Sequence, residues 1–264
     1  MDLQLKGKRA LVTGSTAGIG YAIAEALANE GAMVIVNGRT KQRVDEAADR
    51  LRASGVSTDI QSLAVDLGTA AGTREATTRF GDVDILVNNL GIFEPKPFEQ
   101  ISDEDWFRFF EVNVLSGVRL SRHYLPRMKQ KNWGRILFIS SESALQIPSE
   151  MIHYGMTKTA QLAIARGMAE TTIGTNVTVN AILPGPTASE GVTQFVDHLA
   201  SSKQSSREQV EKDFFEHMRP TSIIKRFEKP EEIAALVAFI ASPLSAAING
   251  AALRVDGGVV RSIG

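Results

Sequence analysis

The sequence predicts a doubly wound α/β fold, a parallel sheet of about seven strands with helices on both faces, in a single domain spanning 1–264. Three observations predict it. Apolar runs of strand length alternate with longer helix-like segments, the order that builds parallel strands and crossover helices. The runs are continuously apolar rather than alternating, as strands covered on both faces require. The 264 residues contain no interior linker and fit one large core.

In chain order the strand-like runs are Ala10 to Thr13, Met33 to Asn37, Ile60 to Val65, Ile85 to Val87, Ile136 to Ile139 and Val177 to Ile182. Between them, Val44, Ala47, Ala48 and Leu51 fall at i, i+3, i+4, i+7, and Ile233, Leu236, Val237 and Ile240 repeat the pattern. Each stripe is expected to pack on the sheet. Pro230 followed by Glu231 and Glu232 predicts a helix start, because proline lacks a donor that is not needed there and acids favour the positive dipole end. The segment from Ala188 to Ser222 breaks the alternation. It is rich in serine and charge, has a weakly helical middle from Ser206 to His217, and reads as a lid-like insertion near the substrate.

The composition narrows the function. The formal net charge is -1 with acids and bases interspersed, so there is no basic stripe of the kind nucleic-acid binders present to phosphates, and a small-molecule partner is expected. Cysteine is absent, which excludes disulfides, thiolate catalysis and cysteine-ligated metals; no metal site is expected. The start, Met1 to Lys8, carries Asp2 and no apolar run, so it does not read as a secretory signal. No uncharged apolar stretch approaches the roughly 20 residues a bilayer span needs. The expectation is a soluble cytoplasmic protein without a membrane partner.

Directly after the first strand comes Thr13-Gly14-Ser15-Thr16-Ala17-Gly18-Ile19-Gly20, opening an amphipathic segment with Ile23, Ala26 and Leu27. Glycines are needed where the backbone turns tightly and approaches a pyrophosphate, whose charge is held by helix N-terminal amides. The spacing is wider than G-x-G-x-x-G, so a glycine-rich turn without a ligand is the competing reading. At the end of the second strand, where an acid would bind an adenine ribose 2′-hydroxyl, the chain reads Asn37-Gly38-Arg39-Thr40-Lys41. The acid is missing and a guanidinium fork suits a 2′-phosphate, so NADP is favoured and NAD remains open. The alternative is that Arg39 is a solvated residue at a helix start.

Tyr154-Gly155-Met156-Thr157-Lys158 sets a phenol and an ammonium at i and i+4, on one helical face. A nearby cation favours the phenolate and brings tyrosine, with an ordinary pKa near 10, towards a useful acid/base range. Alone the spacing is weak. Together with the glycine turn at Thr13 to Gly20, Asp66, Asn88-Asn89-Leu90-Gly91, Asn113, Ser141 and Pro184-Gly185, the sequence resembles the short-chain dehydrogenase/reductase family in its single-domain form, from Lys6 to Val260. The tail, Lys229 to Ile233 through Asn249-Gly250 to Val255-Asp256-Gly257-Gly258, shares the likeness.

The resemblance implies a Rossmann-like fold and roles for particular residues. Tyr154 would deliver or remove the alcohol proton. Ser141 would hydrogen-bond the substrate oxygen, Lys158 would bind the nicotinamide ribose and acidify Tyr154, and Asn113 would hold a water that passes protons to solvent. An amide bonding backbone is the alternative for Asn113. Gly14, Ser15, Thr16, Gly18, Ile19 and Gly20 would cradle the pyrophosphate; Asp66 and Leu67 would sit by the adenine, Asn88 and Leu90 along the adenosine ribose, and Pro184, Gly185 and Thr187 by the carboxamide. Asp66 also suits a plain turn or cap, and Ile19 packing. Leu90 stands where the family has alanine. Glu142 stands where it has a small or apolar residue, either aimed at a cationic or hydroxyl-rich substrate or facing solvent from a loop. The family likeness further implies a homo-oligomer, a tetramer or dimer. The function expected is hydride exchange between nicotinamide and an alcohol/carbonyl pair; a dinucleotide-binding redox sensor without turnover is the alternative. Phe93, Phe98, Ile147, Met151, Phe195 and Phe214 are apolar pocket candidates.

Overall fold

The structure, a computed structural model, describes residues 1–203 and 205–263; of Gln194, Phe195, His198, Leu199 and Lys203 it describes only the backbone. The expected place of Phe195 in the pocket therefore lies outside the described side chains. Seven parallel strands form one sheet, β1 (Arg9–Val12), β2 (Met33–Gly38), β3 (Ile60–Ala64), β4 (Ile85–Asn88), β5 (Gly134–Ile139), β6 (Val177–Pro184) and β7 (Ala252–Val255). Their order is β3-β2-β1-β4-β5-β6-β7. Residues of β4, β5 and β6 are buried throughout, which is why their sequences are mostly apolar rather than alternating with solvent-facing polar residues; Asn88, Arg135, Thr178 and Asn180 are polar and buried there too.

Helices cover both faces. On one, α1 (Gly18–Asn29), α2 (Lys41–Ala53) and α9 (Pro230–Ala241) pack around Ala10, Val12, Val34 and Val36. The expected stripe of α2, Val44, Ala47, Ala48 and Leu51, is wholly buried there. Helix α9 begins at Pro230, and the Glu232 carboxylate accepts the Lys229 N–H at 2.7 Å, a reciprocal start that stabilises its first turn. On the other face α3 (Ala70–Arg79), α5 (Ser116–Gln130) and α6 (Ile152–Glu170) enclose Leu11, Ile35, Leu86 and Phe138. Truncating a fully buried strand leucine such as Leu11 to alanine is expected to cost about 2–5 kcal/mol through lost burial and the cavity left behind.

The direction of winding reverses between β1 and β4. Val12 at the end of β1 pairs with Val36 on one side and Val87 on the other. The chain ends that follow these strands therefore meet at one edge of the sheet, where the crossover helices diverge to opposite faces and leave a cleft. Helix α4 (Asp103–Phe110) runs into α5 through a π turn at Glu111–Leu115, which interrupts the regular ladder beside the cleft. The 188–222 segment is more ordered than its sequence suggests. It contains α7 (Glu190–Lys203), α8 (Arg207–Asp213) and a second π turn at Phe214–Met218. The serines that read as loop signals serve α8 as its cap: Ser206 accepts the Gln209 N–H.

Candidate active site

The glycine turn is held by an internal hydrogen-bond frame. Gly14 and Gly18 have φ of 61° and 55°, a region side chains disfavour. A Cβ on Gly20 would collide with the Gly14 carbonyl oxygen and Asn89 Nδ2, so glycine is demanded there by space. Asn89 Nδ2 donates to the carbonyls of Thr13 and Gly14 at 2.9 and 3.1 Å, tying the end of β4 to the turn. Asn37 Oδ1 accepts the Gly14 N–H at 3.1 Å, while its amide donates to Leu63 and Val65. Helix α1 starts at Ala17 with no side-chain cap and no acid in its first turn. Its first N–H groups face the cleft without a competing side-chain acceptor, an arrangement that suits a diphosphate. A nicotinamide dinucleotide fits this cradle.

The expected cofactor residues divide into two groups. Ile19, Pro184, Gly185 and Thr187 line the cleft, Gly18 and Gly20 shape the turn beside it, with Gly20 buried, and Arg39 stands exposed at the corner after β2. Others turn away. Ser15 is fully buried, its hydroxyl donates to the Val12 carbonyl and its N–H to the Asn37 carbonyl at 2.9 Å, so neither is offered to a ligand. The Thr16 carbonyl is held by Arg50 at 2.8 Å. Asn88 points into the core towards Ser121 at 3.2 Å, and Leu67 packs among core side chains. Asp66 is exposed and accepts the Gly68 N–H at 2.9 Å, the plain turn its sequence also allowed. Leu90 donates its N–H to Thr13 Oγ1 at 2.8 Å and leans its side chain on the core. The Thr187 hydroxyl donates to the Gly185 carbonyl at 2.9 Å.

Helix α6 carries Tyr154 and Lys158, and the end of β5 carries Ser141, all facing one cavity of ≈260 Å³. The Lys158 ammonium donates to the Ile139 carbonyl at 2.9 Å and lies 5.5 Å from the Tyr154 ring centre. Burial lowers the pKa of Lys158 to about 8, partly opposed by the Glu142 carboxylate. The expectation that lysine makes the phenol more acidic is not met in this arrangement. Burial, and after it the Glu142 charge, pushes Tyr154 above the ordinary tyrosine range; the Ser141 hydroxyl and Arg219 act in the opposite sense. Asn113 lies in the π turn behind Lys158. Its Oδ1 accepts the Ile92 N–H at 2.8 Å, its amide donates to the Ile92 carbonyl and Thr157 Oγ1, and its own carbonyl accepts from Gln161 at 2.6 Å. The side chain therefore clamps the loop after β4 to α6.

Glu142 does not face solvent. It is 4% exposed, accepts a hydrogen bond from Ser141 Oγ and pairs with Arg219 Nε at 3.1 Å. Arg219 reaches on to Glu150 at 3.0 Å. Of the expected apolar wall, Phe93, Met151 and Phe214 line the cavity, joined by Met218 and Phe227; Phe98 and Ile147 stand outside it. Arg219 and Asn89 are the functional-looking residues that sequence reasoning passed over. Arg219 carries no local signal, since Met218-Arg219-Pro220 resembles any surface turn; Asn89 was visible in Asn88-Asn89-Leu90-Gly91, where the neighbouring asparagine drew the assignment.

A glycine-cradled cleft at the reversal point of a parallel sheet, with a tyrosine, a serine and a lysine at its inner end, defines a dinucleotide-binding oxidoreductase class. The model of the family described as Enoyl-(Acyl carrier protein) reductase matches residues 14–260. The chain is 53% identical over 263 residues to an uncharacterized oxidoreductase, YvaG, of Bacillus subtilis, with both chains covered in full. It is 35% identical to a D-beta-hydroxybutyrate dehydrogenase of Cupriavidus necator, covering 97% of this chain and 99% of that one. Among solved structures it matches L-sorbose reductase from Gluconobacter frateurii, complexed with NADPH and L-sorbose, at a TM-score of 0.93 and 31% identity over the whole of both chains. The chain belongs to the short-chain dehydrogenase/reductase family and is an NAD(P)-dependent oxidoreductase. No helix among the described residues is long and apolar enough to cross a membrane.

Proposed function

We propose that this enzyme moves a hydride between NADP(H), in preference to NAD(H), and an alcohol/carbonyl pair, with Tyr154 as the acid/base. The observation that carries the reading is the convergence of Tyr154, Ser141 and Lys158 on the cavity that the Pro184 to Thr187 loop and Ile19 also line. The cofactor supplies the redox chemistry when bound. The N-terminal amides of α1 hold its diphosphate, with the backbone of Gly14 to Gly20 close enough to approach. Arg39 offers its guanidinium fork to a 2′-phosphate, and the NADPH in the L-sorbose reductase complex favours the same choice. The 188–222 segment closes the substrate side as a lid.

In the reducing direction the Tyr154 hydroxyl gives its proton to the forming alkoxide, and in the oxidising direction the phenolate takes it back. A pKa above the ordinary range keeps the phenol protonated until a substrate oxygen arrives, which favours reduction. Lys158 supplies a cation beside the phenol and donors for ribose hydroxyls. Ser141 orients the phenol. Asn113, with its amide and its own carbonyl engaged, positions Ile92 and Thr157 beside Lys158. The reading includes a cytoplasmic location and a homo-oligomer; Phe107 and Ile173, 75% and 81% exposed, are apolar surface that a second copy would cover.

The test follows nicotinamide absorbance over a panel of ketones, aldehydes and alcohols, with Tyr154→Phe as control. Turnover in the native protein and its loss in the variant are expected. Dinucleotide binding without turnover of any panel member would instead favour a redox sensor.

A further inference from the structure

Glu142 faces the reacting end of the cavity and is not accounted for by hydride exchange alone. It is buried, lines the same cavity as Tyr154, and is joined to Ser141 by a hydrogen bond in which the serine donates. That bond has a chemical consequence. With its proton committed to Glu142, Ser141 is left with acceptor capacity, which the Ser143 N–H draws on at 3.1 Å. The group beyond the phenol that a substrate meets is therefore an acceptor. A carboxylate offers about four acceptor positions, and here one is taken by Ser141 and one by Arg219. Glu142 retains room for a donor.

The charges around the cavity decide which donor. Glu142 and Glu150 are balanced by Arg219, which bonds both, and by Lys158; Glu228, buried against Gly185 and pushed up to about 8 chiefly by burial, adds no charge at neutral pH. Two carboxylates and two cations close the set. An added carboxylate or ammonium would be left buried without a counter-charge, which is costly, whereas a neutral hydroxyl is not. Geometry fixes where the hydroxyl sits. A carbonyl oxygen that accepts from Tyr154 sits in the cavity Glu142 also lines, and because oxygens on adjacent carbons of one molecule are about a hydrogen-bond length apart, a hydroxyl next to that carbonyl is the donor placed to reach the carboxylate. The walls formed by Phe93, Phe214 and Phe227 are apolar and take a carbon skeleton.

We propose that Glu142, held by Arg219, is the specificity-determining residue of this site and selects an uncharged substrate with a hydroxyl on the carbon next to the carbonyl, an α-hydroxy ketone reduced to a vicinal diol. The proposal rests on the oxidoreductase reading above and deepens it. Glu142 accepts the hydroxyl proton in a hydrogen bond while Tyr154 donates to the carbonyl oxygen, so the substrate is gripped at two neighbouring atoms.

The experiment compares acetoin, butanone and acetoacetate, matched in carbon count, as substrates with NADPH in the native enzyme, Glu142→Gln and Arg219→Lys. In the native enzyme kcat/KM for acetoin is expected to exceed that for butanone at least 10-fold, with acetoacetate lowest. In Glu142→Gln the acetoin-to-butanone ratio is expected to fall at least 10-fold, whatever happens to either rate. Calorimetric binding of butane-diol against 2-butanol to the NADPH-loaded protein gives a readout independent of turnover, and the diol preference is expected to vanish in the same variant. Equal use of acetoin and butanone by the native enzyme, or a ratio unchanged by Glu142→Gln, would overturn the proposal while leaving the oxidoreductase reading intact. No oxidation of NADPH with any carbonyl of the wider panel would overturn both. Should the Glu142 variant fail to fold, the native ratio and the native diol preference decide alone.

Discussion

Replacing Glu142 with glutamine removes one negative charge from the side of Tyr154 while keeping the shape of the side chain. In the structure that charge raises the phenol's pKa, second only to burial. Glu142 is joined to Ser141, and Ser141 acts on the phenol, so the charge stands about 5 Å from the phenolic oxygen, two hydrogen bonds away. At an effective dielectric of about 20, two charges at that separation interact by about 3 kcal/mol, equivalent to about two pH units. The sign follows directly. A carboxylate disfavours phenolate, so its removal lets Tyr154 lose its proton at lower pH. The pH profile of kcat/KM for alcohol oxidation, which needs the phenolate, is expected to move down by one to two units in Glu142→Gln. The substitution also breaks one arm of the buried Arg219 pair, and because Glu150 still holds the guanidinium at 3.0 Å the loss of stability is expected near the low end of the roughly 3–5 kcal/mol typical of such breaks. The variant must therefore be assayed well below its melting temperature. A profile that stays in place, or moves up, would refute the electrostatic link between Glu142 and Tyr154.

Three further outcomes follow from the same geometry. Gly20→Ala forces a Cβ onto the Gly14 carbonyl and Asn89, so fluorescence titration should show NADPH binding at least 10-fold weaker, with about 1–3 kcal/mol lost in denaturant unfolding. Arg39→Ala should weaken NADPH by about 1.5–3 kcal/mol, roughly 10- to 150-fold, and leave NADH within a factor of two or so, since hydrogen bonds to a charged group have about that strength; an equal loss for both cofactors would count against a 2′-phosphate contact. Lys158, whose pKa burial lowers to about 8, makes the fold more stable when neutral, a contribution present above its unfolded pKa near 10.4 and lost as pH falls through 8. Lys158→Met should therefore raise Tm relative to the native protein more at pH 7 than at pH 10, by differential scanning calorimetry without cofactor.

Much of this was legible in the chain because the physics is local. Continuous apolar runs mark strands that are covered on both faces, and the i, i+3, i+4, i+7 stripe of α2 is buried as its spacing requires. The glycine turn reads correctly because Gly14 and Gly18 need positive φ and Gly20 needs empty space. Residue roles that depend on where a side chain points were not legible. Ser15, Asn88 and Leu67 occupy motif positions yet turn their side chains into the core, which only the placement of β1, β4 and β3 decides. Helix α7 carries an apolar stripe in its sequence, Val192, Phe195, Val196 and Leu199 at i, i+3, i+4, i+7, but the serines and charges that follow it made the whole segment read as an insertion. The Glu142 to Arg219 pair spans 77 residues, and no periodicity reports on a contact made through the lid. Glu142 also bears on the simple reading of Tyr154 and Lys158: spacing puts an ammonium near a phenol, but burial and then the Glu142 charge raise the phenol's pKa.

The most direct measurement uses NADPH deuterated at the transferring position, with single-turnover detection of label on the carbinol carbon by mass spectrometry. The native enzyme is expected to place the deuterium there. Tyr154→Phe, saturated with NADPH, is expected to do so about 10²- to 10⁴-fold more slowly, the usual contribution of a positioned general acid. Label transfer at the native rate in that variant would contradict the central role given to the phenol.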